Sequence, residues 1–315
     1  MSASLAPLPW EAWQPTKETL HLQAQIVGKV KLAVAPPRNH WWHVTLQPWA
    51  RGLTTGPLRR GDVTFEVAFD FVAHTVDVRT SRGEERRIHQ RDGLPVAEFD
   101  RALHAALAEL GLDVVIVERP FATPVSDVPF PQDRIHGSYD AELAQRFWRA
   151  TEWAAGVLEE FSGWYCGKQS PVQFFWHSFD LALARYSGRR APVGDGVDRV
   201  TREAYSHEVI AFGFWSGDAD VRAAAFYSYT APEPDALPDT PLAPAAARWQ
   251  EAGPGHLAIL PYDAVRTASD SRRALLAFLE QAYEAGASAA GWERDALASS
   301  YCPSPAQLEE LTLAA

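Results

Sequence analysis

Thr64–Phe71 alternates strictly, with Phe65, Val67, Phe69 and Phe71 on one face and Thr64, Glu66, Ala68 and Asp70 on the other. That is the period of a half-buried strand. The pattern predicts a strand over Thr64–Val72, another over Thr75–Thr80, and then an amphipathic helix over Val96–Leu110, apolar at Leu103, Ala106, Leu107 and Leu110. Upstream, a helix is expected over about Thr16–Ile26, a Gly28-Lys29 turn, and an aromatic strand over Trp41–Pro48. The second part of the chain presents the same succession. A helix spans Asp140–Ser162, with Ser138 or Asp140 as its N-cap. Strands follow over Val172–Tyr186 (partly helical), Glu208–Trp215 and Ala224–Thr230, then a helix over Ser271–Ala285.

Shifting the chain by 134 positions aligns residues as well as patterns. Trp42-His43 falls on Trp176-His177, and Ala50-Arg51 falls on Ala184-Arg185. Phe65-Glu66-Val67 corresponds to His207-Glu208-Val209, and a Gly-Lys pair (Gly28-Lys29, Gly167-Lys168) stands upstream in each copy. The shared order argues for an ancient tandem duplication. The expected fold is α+β: two related units, each with antiparallel strands and flanking helices, paired about a pseudo-twofold axis. Their bounds are 10–118 and 136–295, with a proline-rich connector over 119–135 and a tail over 296–315. The Ala231–Pro254 stretch reads as a long loop inside the second unit.

Composition narrows the class without naming a task. With 47% hydrophobic residues in 315 and two cysteines, the chain is neither disordered nor a disulfide scaffold. A net charge of −11 argues against coating nucleic acid or an anionic membrane. The absence of a signal-like or membrane-spanning stretch predicts a cytoplasmic protein with free thiols. Only four of 29 basic residues are lysines, Lys17, Lys29, Lys31 and Lys168, so a retained ammonium suggests a need for its compact charge or tunable pKa. Twelve tryptophans serve first as core filler.

The motifs His40-Trp41-Trp42-His43-Val44-Thr45, Ala50-Arg51-Gly52-Leu53-Thr54-Thr55, Phe174-Phe175-Trp176, Ser178-Phe179-Asp180-Leu181-Ala182, Ser206-His207-Glu208-Val209 and Ala225-Phe226-Tyr227-Ser228-Tyr229 carry a resemblance. In that order, from about Trp10 to Trp292, the chain resembles the uncharacterised bacterial domain-of-unknown-function family numbered 5996. The resemblance implies a bacterial, cytoplasmic, stand-alone protein and no particular activity.

Polar residues inside apolar runs are the candidate chemistry. Lys29, Trp42, His43, Arg51, Trp176, His177, Asp180, Arg185, Tyr205 and Tyr227 are the candidate ligand contacts, and His207, Glu208 and Lys168 the candidate acid–base set. If the units are symmetry-related, these groups meet between them, a usual place for a ligand. Lysine and arginine would hold a carboxylate or phosphate and tryptophan a ring, while Glu208 or Asp180 with His207 would move a proton. The expectation is a small-molecule site for an anionic or aromatic ligand, and no motif specifies a cofactor. Three other readings compete. One is a non-catalytic binding or protein-interaction module. Another is a mononuclear metal site drawn from His177, His207, His43 and Asp180 or Glu208, against which stands the lack of any zinc-spacing motif. In the plainest, Arg51 and Arg185 bridge carboxylates, the glycine-linked lysines cap helices, and His207 is a satisfied core histidine.

Overall fold

The computed structural model describes residues 5–299 apart from Val193, Asp195 and Pro254. Most of the predicted tail, with Cys302, lies outside the described residues. The first half begins with α1 (Trp10–Val34), followed by β1 (Gln47–Trp49), β2 (Gly52–Thr54), β3 (Leu58–Arg60), β4 (Val63–Asp70), β5 (Thr75–Thr80), β6 (Glu85–His89) and α2 (Val96–Glu109). These strands form one antiparallel sheet in the order β1-β2-β4-β5-β6, with β3 also on β4. Phe65, Val67, Phe69 and Phe71 are all buried as read, but on the opposite face only Thr64 and Glu66 are partly exposed, while Ala68 and Asp70 are buried too.

The second half runs α3 (Ala141–Ser162), β7 (Gln173–Phe175), β8 (Asp180–Arg190), α4 (Arg199–Ala204), β9 (His207–Trp215), β10 (Ala225–Ala231), β11 (Arg248–Ala252), β12 (Gly255–Pro261), α5 (Tyr262–Arg266), α6 (Ser271–Ala289) and α7 (Arg294–Leu297). Its sheet is again antiparallel, in the order β11-β12-β10-β9-β8-β7. Asp140 caps α3 by accepting from the backbone N–H groups of Glu142 and Leu143 at 2.9 and 3.0 Å. The architecture is therefore α+β, with seven helices and two six-stranded antiparallel sheets among the described residues.

One apolar core runs through both halves. At its centre Trp13 of α1 stacks on Phe147 of α3 (5.1 Å between centroids), and Phe147 stacks on Phe179 (5.2 Å). The sheets also touch: Leu46 and Phe174 exchange backbone hydrogen bonds of 2.8 Å in each direction. None of the described helices is long and apolar enough to cross a membrane.

Five local readings are corrected. Gly28-Lys29 is not a turn but lies inside α1, where the absent Cβ makes room for the indole of Trp176. The helix is also longer than its pattern, because almost every residue from Thr19 to Lys31 is buried and no polar face marks its course. Of the expected strand over Trp41–Pro48 only the end is realised, with a bridge at Leu46 and β1 from Gln47, and its beginning is a tight turn. There His40 and Trp41 take left-handed backbone angles (φ 54° and 61°), and the Arg38 N–H donates to His43 Nδ1 at 3.2 Å. Val172–Tyr186 is two strands, β7 and β8, folded about Trp176–Phe179. Finally, Ala231–Pro254 is not loop throughout, since β11 pairs with β12.

Candidate functional site

A cleft of about 250 Å³ opens where the start of α1, residues 122–125, the β7–β8 turn and residues 215–219 meet. Trp10 and Trp215 form part of its wall, and Lys17, His21 and His177 bring nitrogen to it. Lys17 is 4% exposed and makes no hydrogen bond or ion pair among the described residues. Its ammonium instead lies 5.9 Å from the ring centroids of both Trp10 and Phe179. The nearby carboxylates are engaged elsewhere. Glu18 accepts from the Gln14 amide at 2.9 Å, and Asp218 accepts from the backbone N–H groups of Asp220 and Val221 at 2.8 Å. Burial therefore lowers the pKa of Lys17, with only partial relief from Asp218 and Glu18.

Lys17, His21, Gln25 and Lys29 follow one another at steps of four, so α1 places them along one stripe. His21 donates through Nε2 to the His177 carbonyl at 2.9 Å, while its Nδ1 is buried without a partner. Gln25 grips Phe121 twice, donating to its carbonyl (2.9 Å) and accepting from its N–H (2.7 Å). The Lys29 ammonium sits 6.0 and 5.8 Å from the rings of Phe121 and Trp176, and burial lowers its pKa. These contacts fasten the proline-rich connector over the helix and make it one wall of the cleft.

Burial, aided by Lys17, takes His21 from the ordinary 6.5 down to about 3. Between those pH values the unfolded chain binds a proton at His21 that the folded one refuses, so stability falls as pH drops from 6.5 towards 3. His21→Gln should flatten this loss, by on the order of a few kcal/mol across that window. Urea unfolding at pH 7 and pH 4.5 on both proteins measures it, and equal pH dependence would refute it.

Beside Ser178 of the cleft lining, the Asp180 carboxylate accepts from Ser178 Oγ and the Tyr227 hydroxyl. Burial raises Asp180 and lowers His177, and each charge partly offsets the other's shift. The structure thus brings His177, Asp180 and Tyr227 together, while the Trp176 indole packs on Gly28 and donates to the Val44 carbonyl.

Other candidates gather elsewhere. Lys168 Nζ donates to His40 Nε2 at 2.6 Å, and the His40 Nδ1–H donates to the Ala204 carbonyl at 3.1 Å, which fixes the tautomer. Trp42 and Tyr186 lie beneath the ammonium at 5.7 and 5.2 Å, and His207 meets His40 edge-on at 5.5 Å. Glu208 does not join this group. As the neighbour of His207 on β9 it faces the opposite side, where it accepts from Ser187 (2.8 Å) and Arg189 (2.9 Å). Four further candidates lie in neither cluster. Arg51 pairs with Asp70 at 2.6 Å. His43 stacks on Trp41 (5.2 Å). Arg185 is buried in a cage of Phe161, Tyr165 and Tyr283, donating to the Phe161 carbonyl at 2.5 Å. Tyr205 meets Tyr229, hydroxyl to hydroxyl, at 3.1 Å. The metal set of His177, His207, His43 and a carboxylate is not assembled. Among the described residues, the His and carboxylate side chains that converge closely enough are Asp100, His104 and Glu118.

Lys17, His21 and His40 were not among the residues singled out. The four-residue spacing along α1 identifies the first two; nothing local in the sequence marks His40 as the partner of Lys168.

The fold and cleft define an α+β protein of two antiparallel sheets with an aromatic recess that holds one buried lysine. A family model described as "Family of unknown function (DUF5996)" matches residues 5–299, and the chain belongs to that family. No curated protein and no solved structure was found to match it.

Proposed function

We propose that the protein binds a small organic anion, a carboxylate or phosphate ester carrying a flat apolar portion, in the cleft beside Lys17. The observation that carries this reading is a buried ammonium at the wall of a recess that makes no hydrogen bond or ion pair among the described residues and is only partly offset by Asp218 and Glu18. An unpaired buried charge is costly, and an anion supplied from solution removes that cost. Trp10 and Trp215 suit the apolar portion, and His177, electrostatically coupled to Asp180, is placed to exchange a proton with the bound molecule.

Benzoate and phenyl phosphate are suitable probes. Either should raise the unfolding midpoint of the wild-type protein and leave Lys17→Met unmoved, because a charge-assisted hydrogen bond is worth about 1.5–3 kcal/mol. Native mass spectrometry of protein from its own host should show a bound organic anion. Equal responses of wild type and variant, or none in either, would overturn the reading.

A second reading rests on the 2.6 Å Lys168–His40 contact beside two consecutive left-handed residues, a concentration of backbone strain that recurs at functional sites. In it, Lys168 and His207 carry acid–base chemistry with His40, and Glu208 takes no part.

A further inference from the structure

Asp100 and His104 stand one turn apart on α2, an element that contributes no residue to either cluster described above. The Asp100 side chain is 5% exposed, and its Oδ1 has no hydrogen-bond partner. His104 Nε2 is likewise buried without a partner. The two atoms face each other at 3.7 Å, too far for a hydrogen bond. A third donor comes from another part of the chain. Glu118 lies in the segment that leaves α2, and its carbonyl accepts from the N–H of the fully buried Phe130 at 3.1 Å, which holds its backbone in place. One ligand atom from each of the three side chains lies within 4.8 Å of the others.

We propose that Asp100, His104 and Glu118 form a binding site for a divalent first-row cation, with zinc as the type. Metal–ligand bonds of roughly 2.1 Å in a tetrahedral arrangement put neighbouring ligand atoms about 3.4 Å apart. The Asp100–His104 separation is close to that value, and the exposed Glu118 carboxylate needs only a small movement to join. One imidazole nitrogen with two carboxylate oxygens suits zinc or its borderline neighbours better than magnesium or calcium, which favour oxygen alone. Water completes the coordination. The cation satisfies both unpartnered buried atoms together and gives the buried carboxylate its counter-charge. It also fastens the 113–118 segment, whose Val115 and Val117 are 81% and 70% exposed, to the surface of α2.

The test is calorimetric titration of the chelator-stripped, full-length protein with zinc chloride, alongside His104→Gln and Glu118→Gln. Wild type should take up one equivalent with a rise in unfolding midpoint. Each variant should bind at least about tenfold more weakly, since loss of even an outer partner of a metal ligand costs that much. Glu118 is exposed, so its variant should fold normally by circular dichroism and keeps the comparison valid should His104→Gln unfold. Absence of stoichiometric zinc uptake by wild type, or wild-type affinity in Glu118→Gln, would overturn the proposal.

Discussion

Gly28→Ala is expected to destabilise the protein by about 3 kcal/mol, the upper part of the range for overpacking a dense core. A Cβ at this position would fall within the indole of Trp176. The ring has little room to retreat, because its Nε1–H donates to the Val44 carbonyl at 2.8 Å and the side chain is 3% exposed. Shifting it would break that bond or move α1 away from the β7–β8 turn. Gly156→Ala supplies the contrast. It too sits inside a helix, α3, but a Cβ there meets nothing within 4 Å. Alanine's better helix propensity should stabilise that variant by roughly 0.5–1 kcal/mol. Chemical denaturation of both variants measures the pair. A loss below about 1 kcal/mol for Gly28→Ala would mean that the indole is loosely held.

Lys17→Met is expected to act in opposite directions on stability and on binding. Methionine keeps an apolar stem of similar length and removes an ammonium that lies 5.9 Å from the Trp10 and Phe179 ring centroids and that no carboxylate pairs with directly among the described residues. The ligand-free protein should gain about 1–3 kcal/mol, as when other costly buried charges give way to apolar side chains. Aryl anion affinity should fall at least about tenfold, the equivalent of one charge-assisted hydrogen bond. Unfolding midpoints and titrations on the same two proteins give both numbers. A variant that is less stable and binds normally would show that Lys17 serves the fold.

The elements with one buried face were legible in the sequence. The buried phenylalanine face of β4 and the Asp140 cap of α3 follow from neighbouring residues, and the structure contains both. The central helix was read short because its polar residues, Lys17, His21, Gln25 and Lys29, are themselves turned inward. A two-faced pattern cannot arise where both faces are covered. The turn at His40 and Trp41 was read as strand because its residues are aromatic and β-prone. What bends it is contact with Glu203 and Ala204, more than 160 positions away. His177 and Asp180 were identifiable as polar residues in an apolar run. The separation of His207 from Glu208 follows from the period of two in a strand, which places adjacent residues on opposite faces.

The Leu46–Phe174 exchange also bears on solubility. Each sheet has one boundary strand turned towards the other sheet, β1 and β7, with sequences Gln-Pro-Trp and Gln-Phe-Phe that carry no charge. Left bare, such strands would offer unpaired backbone to any passing chain. Here they shield one another, and Pro48 removes a further donor from β1. The two outer boundaries are of different composition: β6 carries Glu85, Arg86 and Arg87, and β11 carries Arg248 and Glu251. Charge guards the strands that face solvent, and mutual cover guards those that do not. Each half thus acts as a chaperone for the vulnerable rim of the other, a reason for the two to remain on one polypeptide.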